Sequence, residues 1–304
     1  MNFNLITLLG PTASGKTKLA SIISEKFNCE IISADSRQVY RKMDIGTGKD
    51  LEDFKSRNIN YHLIDIVEPD EEYNLFRFQN DFYSSFEKIK SRNKIPLLVG
   101  GTGMYLSAIL QNYQLPDADH STAEYDQLNS LSDEELKKIL LKVKPKLHNV
   151  TDLKDKERII RAIIIERAVK SDKHSRSKIN SLTLGTDLSR ELIKKKITER
   201  LEHRLNSGMI AEVKNLLESG LSQKKLDYLG LEYRYISRYV VGEINYNDMF
   251  QKLNSAIYNF AKRQMTWFRK MEREGVEIFW FNPFEVDSIL SFIKSKMDFY
   301  EHSA

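Results

Sequence analysis

The stretch Gly10-Pro11-Thr12-Ala13-Ser14-Gly15-Lys16-Thr17 fills every fixed position of the phosphate-binding pattern G-x-x-x-x-G-K-[ST]. Its glycines let the backbone curl so that successive N–H groups surround a phosphate. A helix opening at the loop adds the positive end of its dipole. Lys16 neutralises phosphate charge, and the Thr17 hydroxyl can hold Mg²⁺. Kinases, ATP-binding hydrolases and some transferases all use such a loop, so it implies nucleotide or diphosphate binding without naming a reaction.

Two other stretches carry groups that could complete a reaction. Asp35-Ser36-Arg37-Gln38-Val39-Tyr40 follows a second short predicted strand, Glu30-Ile31-Ile32-Ser33. A carboxylate there could bind Mg²⁺, act as a base, accept a hydrogen bond from a substrate amine, or simply cap a following helix. Gln38 could read a base edge. Gly100-Gly101-Thr102-Gly103-Met104-Tyr105 could bring the Thr102 hydroxyl and backbone N–H groups to a diphosphate or a reacting amine, or could be a plain strand-to-helix turn.

These groups act together only if the fold brings them to one edge. The run Leu5–Leu9 before the loop reads as a strand buried on both faces of a parallel sheet, and Leu19, Ala20, Ile22, Ile23 and Phe27 recur at helical spacing after it. Strand, loop, helix, strand is a βαβ unit. Further strands are predicted at 63–66, 95–99 and 276–280, with an amphipathic helix at 76–89. The carboxyl ends of parallel strands face one crevice, which places Asp35 and Thr102 beside the phosphate loop.

The character of the chain changes near Pro116. Residues 117–180 are polar and helix-prone; 155–169 reads as a helix with Ile159, Ile160, Ile163 and Ile164 on one face, followed by a basic, serine-rich loop at 171–181. The predicted fold is α/β: a P-loop NTPase-like parallel sheet core with a helical insertion and a helical C-terminal region. Residues 1–115 and 186–304 form the core, and 116–185 the insertion. Composition sets outer bounds. With Lys+Arg at 47 against Asp+Glu at 43, the net charge of +4 is too small to mark a nucleic-acid binder. A single cysteine, Cys29, excludes an intramolecular disulfide and a cysteine-rich zinc site within the chain, and reads as a small residue beside a buried strand. No apolar run is long enough to span a bilayer and the N-terminus lacks a signal-peptide pattern, so no membrane association and a cytoplasmic location are expected.

Five stretches in order resemble the tRNA dimethylallyltransferases of bacterial type, the IPP transferase family. They are Gly10 to Thr17; Asp35 to Tyr40 with Met43-Asp44-Ile45-Gly46-Thr47-Gly48-Lys49; Tyr61-His62-Leu63-Ile64-Asp65; Gly100 to Tyr105; and Ala261-Lys262-Arg263-Gln264-Met265-Thr266-Trp267-Phe268-Arg269. The resemblance spans nearly the whole chain. It implies a P-loop-kinase-like fold whose insertion and C-terminal helices grip a tRNA anticodon stem-loop. It also implies transfer of the dimethylallyl group of dimethylallyl diphosphate to N6 of the adenosine immediately 3′ of the anticodon (position 37), with release of diphosphate. Residue by residue, it implies that Asp35 serves the N6 amine as base or acceptor. Thr102 contacts the adenosine or the diphosphate. Lys16 and the loop residues Gly10, Pro11, Thr12, Ala13, Ser14, Gly15 and Thr17 hold the diphosphate together with Arg200. Ser36, Arg37, Gln38, Arg158 and Arg161 join Asp35 and Thr102 in tRNA contact. Mg²⁺ on Thr17 and a monomer complete the expectation.

The chain departs from the family pattern on the insertion helix, where Ile164 stands at a usual glutamate, and at Tyr228-Leu229-Gly230-Leu231-Glu232. Both departures bear on tRNA recognition more than on chemistry. Two basic segments, Lys170, Lys173, His174, Arg176 and Lys178 in one and Lys262, Arg263, Arg269, Lys270 and Arg273 in the other, could follow an RNA backbone or be solvated faces. Trp267 and Phe268 read as core, and His62 as structural. A small-metabolite kinase, a non-catalytic nucleotide-gated RNA binder and an adenylate isopentenyltransferase are the rival readings; the helical insertion favours tRNA over free nucleotide.

Overall fold

The computed structural model describes residues 3–113, 123–143, 155–169 and 177–298. The chain divides into two units, one formed by Met1–Asn112 with Lys178–Ala304 and the other by Tyr113–Ser177. The first is built on six parallel strands: β1 (Leu5–Leu9), β2 (Cys29–Ala34), β3 (Tyr61–His62), β4 (Ile95–Gly100), β5 (Ser181–Thr186) and β6 (Phe279–Phe281). They lie in the order β3-β2-β4-β1-β5-β6. The sheet is parallel throughout, from Ile31 beside Tyr61 at one side to Leu184 beside Phe279 at the other.

In chain order the helices begin with α1 (Lys16–Phe27), α2 (Glu52–Lys55), α3 (Leu75–Ser91) and α4 (Gly103–Leu110). The second unit holds α5 (Ala123–Asn129), α6 (Asp133–Val143) and α7 (Lys156–Val169). The chain then returns to the first unit with α8 (Arg190–Asn206), α9 (Met209–Glu218), α10 (Gln223–Leu229), α11 (Leu231–Val240), α12 (Tyr246–Arg273) and α13 (Val286–Asp298).

Side chains alternate across a strand, so each strand feeds two cores. Leu5 and Leu9 of β1 join Ile32, Ala34 and Leu98 on one face; Ile6 and Leu8 join Ile31, Leu97, Val99 and Leu184 on the other. The second face is covered by α1 through Leu19, Ala20 and Ile23 and by α13 through Ile289 and Ile293. The first face is covered by α3, where Phe78, Phe82 and Phe86 recur every four residues and are fully buried, and by the helices of the C-terminal region. The long helix α12 buries Met249, Leu253, Ile257, Ala261, Gln264, Phe268 and Met271, a stripe of three- and four-residue steps along all its turns. The second unit has its own small core of Leu128, Leu136, Leu140, Ile159, Ile160, Ile163 and Ile164, so the isoleucine face expected at 155–169 is the face α7 buries.

The structure moves three expectations. The strand predicted at 63–66 ends at His62, because Leu63 and Asp65 take left-handed backbone angles (φ 63° and 56°) and turn the chain away from the sheet. The last strand begins at Phe279 rather than 276, because the end of α12 runs on through Gly275 (φ 96°) and the Val276 amide donates back to Met271 O. The third is β5. The boundary at 185 placed Ser181 to Gly185 in the insertion, yet they form a central strand against β1. Its Ser-Leu-Thr-Leu-Gly-Thr composition hides it: Ser181 and Thr183 point to a polar seam in which Thr7 and Ser181 hydroxyls lie 2.8 Å apart and Thr183 donates to Ser181. No helix among the described residues is long and apolar enough to cross a membrane.

Candidate active site at the carboxyl edge of the sheet

The phosphate loop leaves β1 at Gly10 and enters α1 at Lys16. Ala13 (φ 62°) and Gly15 (φ 84°) supply the left-handed turns that curl it. Gly10 has no room for a side chain, because a Cβ would overlap the Thr186 hydroxyl at the end of β5. That hydroxyl lies 2.7 Å from Ser14 Oγ, so the strand missed in the sequence props the loop from below. Lys16 Nζ donates to Pro11 O at 2.7 Å and reaches Ser14 Oγ at 3.5 Å. Thr17 follows it on the same cavity wall. Across the loop, the Arg200 guanidinium of α8 donates to the Thr12 hydroxyl. Burial, and secondarily the Arg200 charge, push the Lys16 ammonium down to about 7; burial and the neighbouring Arg204 push Arg200 down to about 10. Burial is the larger cause at both groups, and the nearby carboxylates, Asp35 for Lys16 and Glu232, Asp50 and Asp35 for Arg200, offset it only in part.

Asp35 and Thr102 lie beside this loop, on the ends of the adjacent strands β2 and β4. Those two strands approach so closely that a Cβ on Gly100 would overlap the Ala34 carbonyl. Thr102 N donates to Ala34 O at 3.2 Å, while the Thr102 hydroxyl accepts from Ser36 N at 3.0 Å and donates to Ser36 Oγ at 3.4 Å. Asp35 caps no helix. Its Oδ1 accepts from the Arg37 amide at 2.9 Å, a local turn that fixes the carboxylate, and among the described residues its other oxygen has no hydrogen-bond partner. Gln38 is held within the protein: Oε1 accepts from Ser33 Oγ at 3.0 Å and Nε2 donates to Gly48 O at 3.1 Å.

Gln264 lies in the 261–269 motif, and the sequence alone assigns it no role. From α12 its amide bridges the two loops: Oε1 accepts from Thr12 N and Nε2 donates to Gly101 O, each at 2.8 Å, in a nearly buried position. Gly101 must be glycine to let that amide in. The neighbouring pair splits. Phe268 is core as expected, whereas Trp267 is half-buried, packs on Gly103, donates to Ser107 Oγ at 2.8 Å and lines the site. The stretch 43–49 is held by two charged residues. Glu212 of α9 accepts from the amides of Asp44 (2.8 Å), Ile45 (2.7 Å) and Gly46 (3.0 Å) and from Tyr233 OH (2.7 Å). Buried Lys49 donates to Tyr40 O (2.8 Å), Asp44 (2.6 Å) and Asp65.

Two cavities meet over these groups. One, of about 520 Å³, is lined by the phosphate loop, Lys16, Thr17 and His203. The other, of about 540 Å³, is lined by Ser36, Arg37, Thr102, Met104, Tyr228 and Trp267. Thr12, Asp35, Gly101, Arg200, Phe260 and Gln264 belong to both. A charged compartment and a mixed one, in which Met104, Tyr228 and Trp267 stand with Arg37, Arg204, Glu232 and Arg263, thus share a wall on which Asp35 stands. Glu232, on the second cavity, has a raised pKa through burial, against the pull of Arg204 and Arg200.

The remaining expected positions fall elsewhere. Arg158 and Arg161 lie on α7 of the second unit, with side chains outside the described residues; so do Lys170, Lys173, His174 and Arg176, while Lys178 is exposed. His62 is structural as read, 2.8 Å from the fully buried Glu30. Cys29 is buried in β2, and burial pushes its thiol up to about 12. Among the described residues no cluster of three His, Cys, Asp or Glu could hold a metal ion. A divalent cation at this site would take most of its ligands from phosphate oxygens.

The IPP transferase family model matches residues 38–271, and the isopentenyl transferase model matches residues 3–63. Among curated proteins, tRNA dimethylallyltransferase 1 of Azobacteroides pseudotrichonymphae is 50% identical over 293 residues, covering 94% of this chain and 95% of that one. The tRNA dimethylallyltransferase 2 of Phocaeicola vulgatus is 48% identical over 97% of this chain and 99% of its own. Among solved structures, the tRNA isopentenylpyrophosphate transferase of Bacillus halodurans superposes with a TM-score of 0.71 at 30% identity, covering 97% of both chains. A eukaryotic dimethylallyltransferase solved acting on tRNA gives a TM-score of 0.75 at 24% identity over 92% of this chain and 73% of that one, a likeness of fold.

Proposed function

The chain belongs to the IPP transferase family, and on that premise we propose that it transfers the dimethylallyl group of dimethylallyl diphosphate to N6 of the tRNA adenosine immediately 3′ of the anticodon. The observation that carries this reading is the shared wall. Lys16 faces a charged compartment suited to a diphosphate, Thr102 and Trp267 face one with aromatic and polar lining suited to a nucleobase, and Arg200 and Asp35 border both.

The chemistry follows from that placement. The adenine N6 lone pair attacks C1 of the allylic chain, the C1–O bond breaks, its electron pair leaves with diphosphate, and one N6 proton is lost. An exocyclic amine is a weak nucleophile, so stabilising the departing charge is the main task. The loop amides, Lys16 and Arg200 provide it. Mg²⁺, when bound with the diphosphate on Thr17, adds further charge neutralisation. Asp35 accepts the N6 proton on the oxygen that the Arg37 amide does not occupy. Thr102, locked to Ser36, orients the base or the amine. The Gln264 bridge holds the two loops in register, so the leaving group and the nucleophile keep one geometry. The target base must leave its stack to enter such a cavity.

In this reading the second unit, the basic segments and the C-terminal helices hold the anticodon arm. Every residue assigned to the reaction comes from one chain, so a monomer suffices. The test is incubation of the purified protein with Mg²⁺, dimethylallyl diphosphate and an anticodon stem-loop, followed by nucleoside mass spectrometry. N6-isopentenyladenosine at the position 3′ of the anticodon is expected. Transfer to free adenylate but not to the stem-loop, or no transfer to either, overturns the reading.

A further inference from the structure

Seven large apolar side chains are exposed among the described residues, and three of them, Met104, Tyr228 and Phe260, line the cavity that holds Asp35 and Thr102. Exposed apolar groups scattered over a surface carry no message, but a cluster around one opening does. Tyr228 is the most exposed of all seven, at 60%. It is the penultimate residue of α10, two residues before Gly230. The core does not need its ring: the buried residues of α10 are Leu226 and Leu229.

Two cations attend that ring. The Arg37 guanidinium carbon lies 5.3 Å from the ring centroid and Lys225 Nζ lies 5.9 Å from it. Arg37 also follows Asp35 by two residues and donates its amide to it, so the ring is tied through one side chain to the residue that faces the substrate amine. An exposed ring with cations lying over it and a nucleobase-sized cavity beside it combines the parts that hold single-stranded nucleic acid: a base that displaces a cation from the ring stacks in its place, and the cation is freed to meet a phosphate.

Resting on the function proposed above, we infer that Tyr228 is a stacking platform for a nucleobase flanking the reacting adenosine, with Arg37 and Lys225 pairing to the adjoining phosphates. A single extruded base leaves its neighbours with an unstacked face. Tyr228 replaces that lost stack at the mouth of the cavity, and so positions the adenosine without touching the reacting atoms.

The test is equilibrium binding of a fluorescent anticodon stem-loop to the wild-type protein, Tyr228→Ala and Tyr228→Phe. It is repeated with stem-loops carrying an abasic residue on either side of the target adenosine. Loss of one stacked base weakens binding by roughly 5- to 150-fold. Tyr228→Ala should show that loss, Tyr228→Phe should restore most of the affinity, and KM for dimethylallyl diphosphate should not change. One of the two abasic stem-loops should show the same loss with wild type and no further loss with Tyr228→Ala. Wild-type affinity in Tyr228→Ala, or losses that multiply in the combined experiment, overturn the platform while leaving the function intact. A wild-type protein that binds no stem-loop overturns both.

Discussion

Diphosphate binding should take up a proton, and the effect can be worked from the geometry of Lys16. In the free protein its ammonium is buried beside Arg200 and titrates near 7. A bound diphosphate supplies the missing negative charge and returns the group toward its ordinary value of about 10.4. The sign follows. Below pH 7 the lysine is charged in both states and binding is indifferent to its titration. Between 7 and roughly 10 the free protein has lost the proton and the complex holds it, so affinity must fall as pH rises. At pH 7 about half a proton is taken up per diphosphate bound, and at pH 8 about nine-tenths. The dissociation constant should rise by about 5-fold from pH 7 to 8 and by nearly tenfold over the next unit. Calorimetry in buffers of different ionisation enthalpy measures the uptake directly. Lys16→Ala serves as the control that subtracts the ligand's own titration; it should bind more weakly and lose the alkaline fall. Equal pH dependence in wild type and Lys16→Ala between pH 7 and 9, or a proton released in the wild type, would refute the argument.

Three further outcomes are expected. Asp35→Asn should lower kcat by roughly 10²–10⁴, the usual contribution of a positioned base, with KM for dimethylallyl diphosphate little changed and circular dichroism unaltered; a folded variant of nearly full activity would reduce Asp35 to a spacer. Gln264→Leu removes a bridge made of two 2.8 Å bonds and leaves a backbone donor and acceptor unpaired. A loss of about 2–4 kcal/mol in urea unfolding should accompany a fall in kcat/KM, and a stability change within about 0.5 kcal/mol would show that the loops do not depend on it. Burial alone would raise the Glu30 carboxyl, but hydrogen bonds from His62, Asn60 and Lys94 and the charge of Arg92 hold it near 2. Its stabilisation, about 3 kcal/mol, is therefore complete above the unfolded value near 4.5 and is lost as pH falls toward 2. Glu30→Gln should differ from wild type by that order at neutral pH and converge with it in acid, which thermal unfolding across pH 2–7 would check.

Local signals account for what could be read from the sequence alone. The phosphate loop announces itself through glycine spacing, and β1, β2 and β4 through short runs rich in Leu, Ile and Val, so the placement of Asp35 and Thr102 on one edge follows from strand polarity. What escaped reading depends on contacts between distant parts of the chain. The strand β5 alternates hydroxyl and leucine, and its Ser181 and Thr183 are tolerable inside a sheet because Thr7 of β1 meets the Ser181 hydroxyl and Thr183 donates to that same hydroxyl. Gln264 reads as one more residue of an amphipathic helix until α12 is laid across two loops more than 160 residues earlier. Tyr228 and Arg37 are likewise distant in the chain and adjacent in space. Leu63 and Asp65 look like strand because side-chain pattern does not encode the sign of φ.

Glu212 places a carboxylate where three successive amides, those of Asp44, Ile45 and Gly46, converge. Converging amides are a binding site for an anion, and here the anion is covalently part of the chain. Its effective concentration is fixed by the tether and does not fall when substrate is scarce. The two loops at this edge therefore differ in what orders them. The phosphate loop leaves its amides to a ligand from outside, whereas the 43–49 loop has its amides filled by a side chain of the same chain. A protein built this way keeps one side of its site as a standing template and lets the other respond, and the helices that follow the sheet act as the permanent cofactor of the loop they cover.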